Sequence, residues 1–476
     1  MVMAILQVGP PELTQALGDL LKAFFPAGTE QEISIELGTY SEGERQGIVC
    51  RINGAIEHRA DLNRGQDPKR LSRVALLKCL QDLQPGKKLP WGILTGIRPT
   101  KIVHRLLDRG MGGQEAAEVL ARDYLIQPDK IDLALEVAGL QRQYLLQPGE
   151  ASKLVNVYVG IPFCPSRCAY CSFPSVIGKG MEIRVYLKVL EQEITALGRA
   201  LADRGISVQT IYVGGGTPSI LSAEELANLL HRCLDHLVSD KTVELTVEAG
   251  RPDTLDRAKL RVMAEAGVGR LSINPQTMVQ HTLERIGRNH SPDQVREAFW
   301  LARECGFDNI NMDIILGLPG ETISDVMFTL KEISRLRPDS LTVHALALKR
   351  ASNLRGRTDA MTDESTQGLQ MQDAAEKTAR GLGMRPYYLY RQKQIFNNLE
   401  NVGYAKAGKE SVYNIQIMEE RQTVFGAGAG AASKIVNPAD WSLTNFQHPK
   451  SPEAYYKRWQ ESLEERLQLL DRLLGH

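Results

Sequence analysis

The sequence predicts an α/β protein: an incomplete (β/α)6 barrel, preceded by an α+β N-terminal domain and followed by a helical C-terminal extension. Three observations lead there. From Leu154 onward, short apolar β-branched runs alternate with long amphipathic helical patterns, at the roughly thirty- to fifty-residue period of βα units. Before that point helical and strand patterns mix without alternating. At 476 residues the chain is too long for one small core, so two or three domains are the default. The expected divisions are an accessory domain over 1–150, the partial barrel over 151–350 and a family-specific region over 351–476.

Bulk properties exclude several classes. The 57 basic residues balance the 57 acidic ones, so no nucleic-acid or membrane-surface partner is implied by charge. Aromatic residues are sparse at 6% while glycine is frequent at 41, a balance suited to an enzyme with many tight strand-to-helix loops. No run of eighteen apolar residues offers a membrane span. Met1-Val-Met-Ala-Ile-Leu-Gln-Val lacks a basic flank and soon meets Pro10-Pro11, so it does not read as a signal peptide. Seven cysteines, an odd number with three clustered, do not form a disulfide framework, and a cytoplasmic location is expected.

In chain order, the apolar positions Leu13, Leu17, Leu20, Leu21 and Phe24 predict a helix from Pro11, ended by Pro26-Ala-Gly28. Ile33–Leu37 alternates as a strand, and Gly47–Gly54 reads as its hairpin partner, with Asn53-Gly54 as the next turn. Helical patterns follow at Pro68–Leu83, Gln114–Tyr124 and Lys130–Leu146. The segment Leu89–Lys101 is apolar yet dense in turn residues. It is either a buried connector or a loop whose Arg98 and Lys101 reach an anion. Gln147–Lys153 reads as a linker.

The six barrel strands are expected at Leu154–Ile161, Val208–Val213, Val243–Ala249, Arg270–Asn274, Asn309–Leu316 and Leu341–Leu346. Capping boxes at Ser222-x-x-Glu225 and Ser291-Pro-Asp-Gln294 mark two intervening helices. In such a barrel the chemistry gathers at the carboxyl ends of the strands. That rim receives Cys164-x3-Cys168-x2-Cys171 after the first strand, Gly214-Gly-Gly-Thr-Pro-Ser219 after the second and Glu248-Ala-Gly-Arg251 after the third. Asn274-Pro-Gln276 follows the fourth strand. The fifth carries Asp313 and ends in Gly317-Leu-Pro-Gly320, and the sixth carries His344 and leads to Lys349-Arg350.

Each motif has a plainer reading. Glycines serve tight turns in any fold. Glu248 and Asp313 equally suit salt bridges to nearby arginines, Gln276 a satisfied core amide, and His344 a structural role. Cys50, Cys79, Cys233 and Cys305 lie on apolar faces and read as core. Three clustered thiolates suit an iron–sulfur cluster one protein ligand short of the usual four, or a zinc site completed by a remote His.

Taken together, the Cys164/Cys168/Cys171 spacing and the Gly-Gly-Thr-Pro loop resemble the radical S-adenosylmethionine superfamily. Tyr158-x-x-Ile-Pro-Phe-Cys, Arg270-Leu-Ser-x-x-x-Gln276, Asp313-x-x-x-Gly-Leu-Pro319 and Gly426-Ala-Gly-Ala-Gly430 narrow the likeness. They resemble the oxygen-independent coproporphyrinogen III oxidase family, over about Val155 to Lys434. The N-terminal region and Tyr387-Tyr-Leu-Tyr-Arg-Gln-Lys393…Asn398–Tyr404 look most like its HemZ-type, coproporphyrinogen dehydrogenase-like branch.

The resemblance implies a [4Fe–4S] cluster on Cys164, Cys168 and Cys171, with S-adenosylmethionine on the remaining iron. By motif, Tyr158, Gly215, Gly216 and Thr217 would hold the methionyl end of that cofactor. Glu248, Gln276, Arg288 and Asp313 would hold its polar groups, and Ala345 would lie beside the adenine. It further implies an anaerobic oxidoreductase of haem biosynthesis. On that likeness one electron would cleave the sulfonium, a hydrogen atom would be taken from the β-carbon of a propionate, and loss of one electron and CO2 would leave a vinyl group. The implied partners are a tetrapyrrole substrate and a one-electron donor such as flavodoxin or ferredoxin. A substrate with four carboxylates needs cations, and Lys349, Arg350, Arg391 and Lys393 are the candidates, with solvated surface charge as their plainer reading.

Three departures separate the chain from the family pattern. Phe173 stands where the oxidases often carry a fourth cysteine, and matches the branch that includes a haem chaperone. Gly160 stands where a His is usual. Tyr413-Asn-Ile-Gln-Ile-Met418 replaces the chaperones' His-Asn-x-x-Tyr-Trp. Two functions of different class follow as expectations: an oxidative decarboxylase of coproporphyrinogen III, or a haem-binding protein that keeps the cluster. Radical chemistry on another tetrapyrrole is a third.

Overall fold

Alternating burial organises the first strands. Ile33, Ile35 and Leu37 are buried between exposed neighbours, so one face of the sheet is apolar and must be covered. In the computed structural model, β1 (Met3–Val8), β2 (Glu32–Glu42), β3 (Arg45–Ile52) and β4 (Ile56–Asp61) form one sheet in that order. The pairs β2–β3 and β3–β4 are antiparallel, and Asn53 and Gly54 turn the second hairpin with φ of 53° and 67°. β1 runs parallel to β2, a pairing that no short-range pattern announces. The helix Pro68–Leu83 begins at Asp67, whose carboxylate accepts from Lys69 N at 3.0 Å. Leu76, Leu77 and Leu80 on this helix are fully buried. Cys50 and Cys79, read as core, are fully buried, and the Cys79 thiol donates to the Cys50 carbonyl at 3.3 Å.

The structure describes all residues except 1–2, 9–10, 26–31, 43–44, 63–66, 97, 179, 348–364, 394 and 475–476. The chain divides into two units, Met1–Leu140 with Leu389–Glu400, and Gln141–Tyr388 with Asn401–His476. The first division falls between Leu140 and Gln141. The first unit also takes in a short piece from much later in the sequence. Glu400, 1% exposed, is held there by Lys130 Nζ at 2.7 Å and Trp91 Nε1 at 2.8 Å. Leu89, Trp91, Ile93 and Leu94 are buried, as the connector reading requires.

The second unit is built on one large sheet. β5 (Leu154–Ile161), β6 (Ser207–Gly215), β7 (Glu244–Glu248), β8 (Arg270–Ser272), β9 (Ile310–Leu316) and β10 (Ser340–Ala345) lie side by side, each parallel to the next. These are the six expected barrel strands, and the sheet stays open. The expected capping boxes are present: Glu225 N donates to Ser222 Oγ at 3.2 Å, and Gln294 N to Ser291 Oγ at 3.2 Å.

Residues 351–476 do not form a separate unit among the described residues. β11 (Arg385–Tyr390) and β12 (Asn401–Ala405) extend the sheet beyond β10. β13 (Val424–Ala427), β14 (Ala432–Val436) and β15 (Leu443–Gln447) extend it beyond β5. β13 pairs parallel to β5 and β12 antiparallel to β10. The region combines these strands with helices and ends in the long helix Pro452–Leu474. That helix packs on the helix Met181–Asp203: buried Arg466 meets Glu193 at 2.9 Å, and Arg204 grips Asp471 at 2.6 Å.

Candidate functional site

β5 delivers the chain to its rim at Ile161, and the cysteine loop is closed by backbone. Val176 N donates to Pro162 O at 2.8 Å, and Cys164 N to Val176 O at 3.0 Å. Two further bonds tie the loop across the rim. Thr217 N donates to Phe163 O at 2.8 Å, and Ala169 N to Ile286 O at 2.8 Å. Such bonds fix the loop without using its thiols, which remain free and partly exposed.

The loop borders a cavity of about 190 Å³ at the carboxyl ends of the strands. Cys164, Cys168 and Cys171 line it together with Gly215, Gly216, Thr217, Glu248, Arg288 and Asp313. Residues drawn from five different strand ends thus meet at one place. Tyr158, Gln276 and Ala345 stand on the same rim strands or just beyond them but do not line this cavity.

The glycines face backbone and sulfur at close range. A Cβ on Gly216 would lie 2.5 Å from Phe163 O and 2.9 Å from Cys164 Sγ. One on Gly214 would lie 2.9 Å from Glu248 Oε2, and Gly215 adopts φ of 116°. Here glycine is a steric requirement of the site as well as of the turn. Thr217 Oγ1 is 3.5 Å from Cys164 Sγ.

The charged groups are held in distinct ways, and among the described residues no arginine hydrogen bond holds either rim carboxylate. Glu248 accepts from Tyr212 Oη at 2.6 Å and from Gly215 N at 3.3 Å. Burial raises its pKa, and nearby Asp313 adds to the rise. Asp313 accepts from Asn311 Nδ2 at 2.7 Å and faces His344 at 3.8 Å. Burial alone would raise its pKa, but His344 and the local hydrogen bonds bring it below the usual range. Arg288, 6% exposed, donates from Nη1 to Gly250 O at 2.9 Å and Asn274 O at 2.8 Å, and from Nε to Tyr170 Oη at 3.3 Å. Tyr158, Tyr212 and Tyr413 stack beneath this rim, the closest ring pair being Tyr212–Tyr413 at 4.5 Å.

Of the four expected substrate cations, Lys349 and Arg350 lie outside the described residues. The other two belong to the first unit: Arg391 is buried, whereas Lys393 is an exposed surface charge. Arg391 is 4% exposed, donates to Leu94 O and Asn398 O, and lies over the Trp91 ring. Burial lowers its pKa to about 10. Lys393 pairs with Asp19 at 2.7 Å. Both cations are engaged by groups of their own unit.

Arg251 and Asn274, placed at the rim by their motifs, line the cavity together with Phe173, whereas the lining residues Ser166, Tyr170 and Ser175 were not singled out. Their only signal in the sequence was position, since all lie within a few residues of a strand end or a cluster cysteine.

The donor set suits a thiolate-bound iron–sulfur cluster with a polar organic ligand beside it. Three thiols face a bare glycine backbone whose Cβ positions are closed. The buried Asn274 Oδ1, on a lining residue, and Gln276 Oε1 have no hydrogen-bond partner among the described residues, which marks polar demand left for a ligand. No three His, Cys, Asp or Glu side chains among the described residues surround a single-ion position.

Comparison with known proteins agrees with this arrangement. The model of the Radical SAM superfamily matches residues 158–333, and the chain belongs to that superfamily. Membership implies a [4Fe–4S] cluster and S-adenosylmethionine. Over 387 residues the chain is 43% identical to the oxygen-independent coproporphyrinogen-III oxidase-like protein HemZ of Bacillus subtilis (strain 168), covering 80% of this chain and 77% of that one. Within the superfamily it is therefore a member of the HemZ-type branch of the oxygen-independent coproporphyrinogen III oxidase family. It is also 34% identical over 287 residues to the heme chaperone HemW of the same organism, covering 59% of this chain and 71% of the relative. Among solved structures, coproporphyrinogen III oxidase (HemN) from Escherichia coli, a radical SAM enzyme, superposes with a TM-score of 0.52. At 23% identity over 68% of this chain and 73% of that one, this match shows a shared fold. Among the described residues no helix is long and apolar enough to cross a membrane.

Proposed function

We propose that the chain is an oxygen-independent oxidative decarboxylase of tetrapyrroles, converting propionates of coproporphyrinogen III to vinyl groups to give protoporphyrinogen IX. The observation that carries this reading is the strand-end cavity in which three cysteines face Gly215, Gly216 and Thr217 across from Glu248 and Asp313. Cys164, Cys168 and Cys171 would hold the cluster. Tyr158, Gly215, Gly216, Thr217, Glu248, Gln276, Arg288, Asp313 and Ala345 would hold S-adenosylmethionine. When bound, that pair supplies the one-electron chemistry that removes a hydrogen atom from a propionate β-carbon.

The chain's own residues orient and enclose. The glycine loop lets a ligand approach bare backbone, where any larger residue would meet Phe163 O or Cys164 Sγ. Glu248, fixed by Tyr212, presents an acceptor to an ammonium or hydroxyl group. Arg288 spends Nη1 and Nε on Gly250, Asn274 and Tyr170, leaving Nη2 without a partner among the described residues and available to a carboxylate. The electron donor would be a small one-electron carrier such as flavodoxin or ferredoxin, and the setting cytoplasmic.

A second reading, haem binding or delivery with the cluster retained, draws on the likeness to HemW and on Phe173, which lines the cavity. Against it, Tyr413 stands where the chaperones carry the first His of their motif, and its ring is buried against Tyr212. One experiment separates the two. After anaerobic reconstitution and dithionite reduction, the protein is incubated with S-adenosylmethionine and coproporphyrinogen III. Release of CO2 with a vinyl product supports the decarboxylase. Formation of 5′-deoxyadenosine with an unchanged tetrapyrrole refutes it, and stoichiometric haem binding then supports the second reading.

A further inference from the structure

Arg251 lies three residues beyond the end of β7 and is 3% exposed. Asp253 fixes one edge of its guanidinium: Nε and Nη2 donate to the two carboxylate oxygens, each at 2.9 Å. Burial opposes ionisation of Asp253, yet the hydrogen bonds from Arg251 bring its pKa below the usual range. The third nitrogen, Nη1, donates to Ser166 Oγ at 3.1 Å and approaches Cys168 Sγ at 3.8 Å. Ser166 belongs to the cysteine loop, and its hydroxyl in turn reaches Gly287 O at 3.4 Å.

A buried ion pair adds little net stability over apolar packing, so fold stability alone does not account for this placement. A bidentate carboxylate removes the rotational freedom of the guanidinium and fixes where its free edge goes. Here that edge goes to a cysteine sulfur. The neighbouring Arg288 shares the cavity, but its hydrogen bonds run to carbonyls and a tyrosine hydroxyl. An N–H donor at a cluster thiolate withdraws charge from the sulfur and stabilises the form carrying the extra electron, and hydrogen bonds to sulfur are among the determinants of cluster potential.

We propose that Arg251, held by Asp253, is a positioning residue of the iron–sulfur site that contacts the Cys168 sulfur and raises the reduction potential of the cluster. The inference rests on the reading of Cys168 as a cluster ligand.

The test uses the full chain, reconstituted anaerobically, as parent, Arg251→Gln and Arg251→Lys. Iron and sulfide per chain are measured first. The midpoint of the one-electron couple is then read by electron paramagnetic resonance during dithionite titration, without S-adenosylmethionine or substrate. The Gln variant, which loses the charge, is expected to show about a tenfold lower ratio of reduced to oxidised cluster at the parent's midpoint, equivalent to about 59 mV for one electron. The Lys variant, which keeps a charge but not the fork, shifts the same way by less. Loaded variants with the parent's midpoint overturn the inference. If the Gln variant takes up no iron, the Lys variant decides by the same criterion. A parent that assembles no four-iron cluster refutes the ligand assignment itself, a different result from a loaded parent whose variants do not move.

Discussion

Replacing Glu193 by Gln tests the most heavily committed buried carboxylate in the second unit. Glu193 is fully buried on the helix Met181–Asp203. It accepts from Arg466 Nη2 at 2.9 Å, Tyr455 Oη at 2.7 Å and Gly428 N at 2.9 Å, with His448 Nε2 at 3.2 Å. Burial raises its pKa, but His448, Arg466 and Tyr455 more than reverse that and bring it from 4.5 to about 2. A depression of that size corresponds to about 3 kcal/mol at ~1.4 kcal/mol per unit, in line with the roughly 3–5 kcal/mol lost when one partner of a buried pair is removed. Because the folded pKa lies below the unfolded one, the contribution is full above about 4.5 and is lost as pH falls through about 2. The variant should therefore be less stable by about 3 kcal/mol at pH 7 and by about 2 kcal/mol at pH 3.5, read from urea unfolding followed by circular dichroism. A penalty under about 1 kcal/mol, or one that does not shrink on acidification, refutes the reasoning. The loss should also reach the site. Tyr186 Oη donates to Gly160 O at 2.6 Å and accepts from Ala429 N at 3.0 Å, while a Cβ on Gly430 would lie 3.1 Å from Pro174. The network thus supports the end of β5 and the floor of the cysteine loop, and iron retention should fall in the same variant.

Three further substitutions bear on the cluster. Cys168→Ser should abolish the brown absorbance and all cleavage of S-adenosylmethionine, whereas Cys233→Ser should keep both, since Cys233 is buried on a helix with its pKa pushed up to about 12 by burial. A cluster retained in the Cys168 variant would overturn the ligand assignment. Gly216→Ala places a methyl 2.5 Å from Phe163 O and 2.9 Å from Cys164 Sγ. It should lower iron per chain at least severalfold while far-ultraviolet dichroism stays unchanged, and full loading would show that the loop yields more easily than its packing implies.

Much of this architecture was legible because its causes are local. A parallel strand buried on both faces announces itself within a few residues, as in β5, where Val155, Asn156, Val157, Val159, Gly160 and Ile161 are all buried. A capping box such as Ser222–Glu225 spans four. Three cysteines within eight residues can share one ligand whatever the rest of the chain does, and the order of the strands then carries Gly215, Glu248 and Asp313 to the same rim. Side chains whose roles depend on distant partners were not legible. Nothing near Arg251 in sequence indicates that it reaches Cys168, 83 residues earlier.

From the sequence alone came the six βα units, the cysteine loop and the family to which they belong, because periodicity, capping and ligand spacing act over a turn or a strand. Tertiary structure decided what depends on long-range closure. It placed β13 beside β5, joined Glu193 to Arg466 across 273 residues, and drew Arg391 into the first unit against Trp91 and Leu94. Arg391 shows the reason. Its charge is the same in every context, but whether it meets a ligand or caps a buried carbonyl depends on which distant backbone group lacks a donor, and only the folded chain brings the two together.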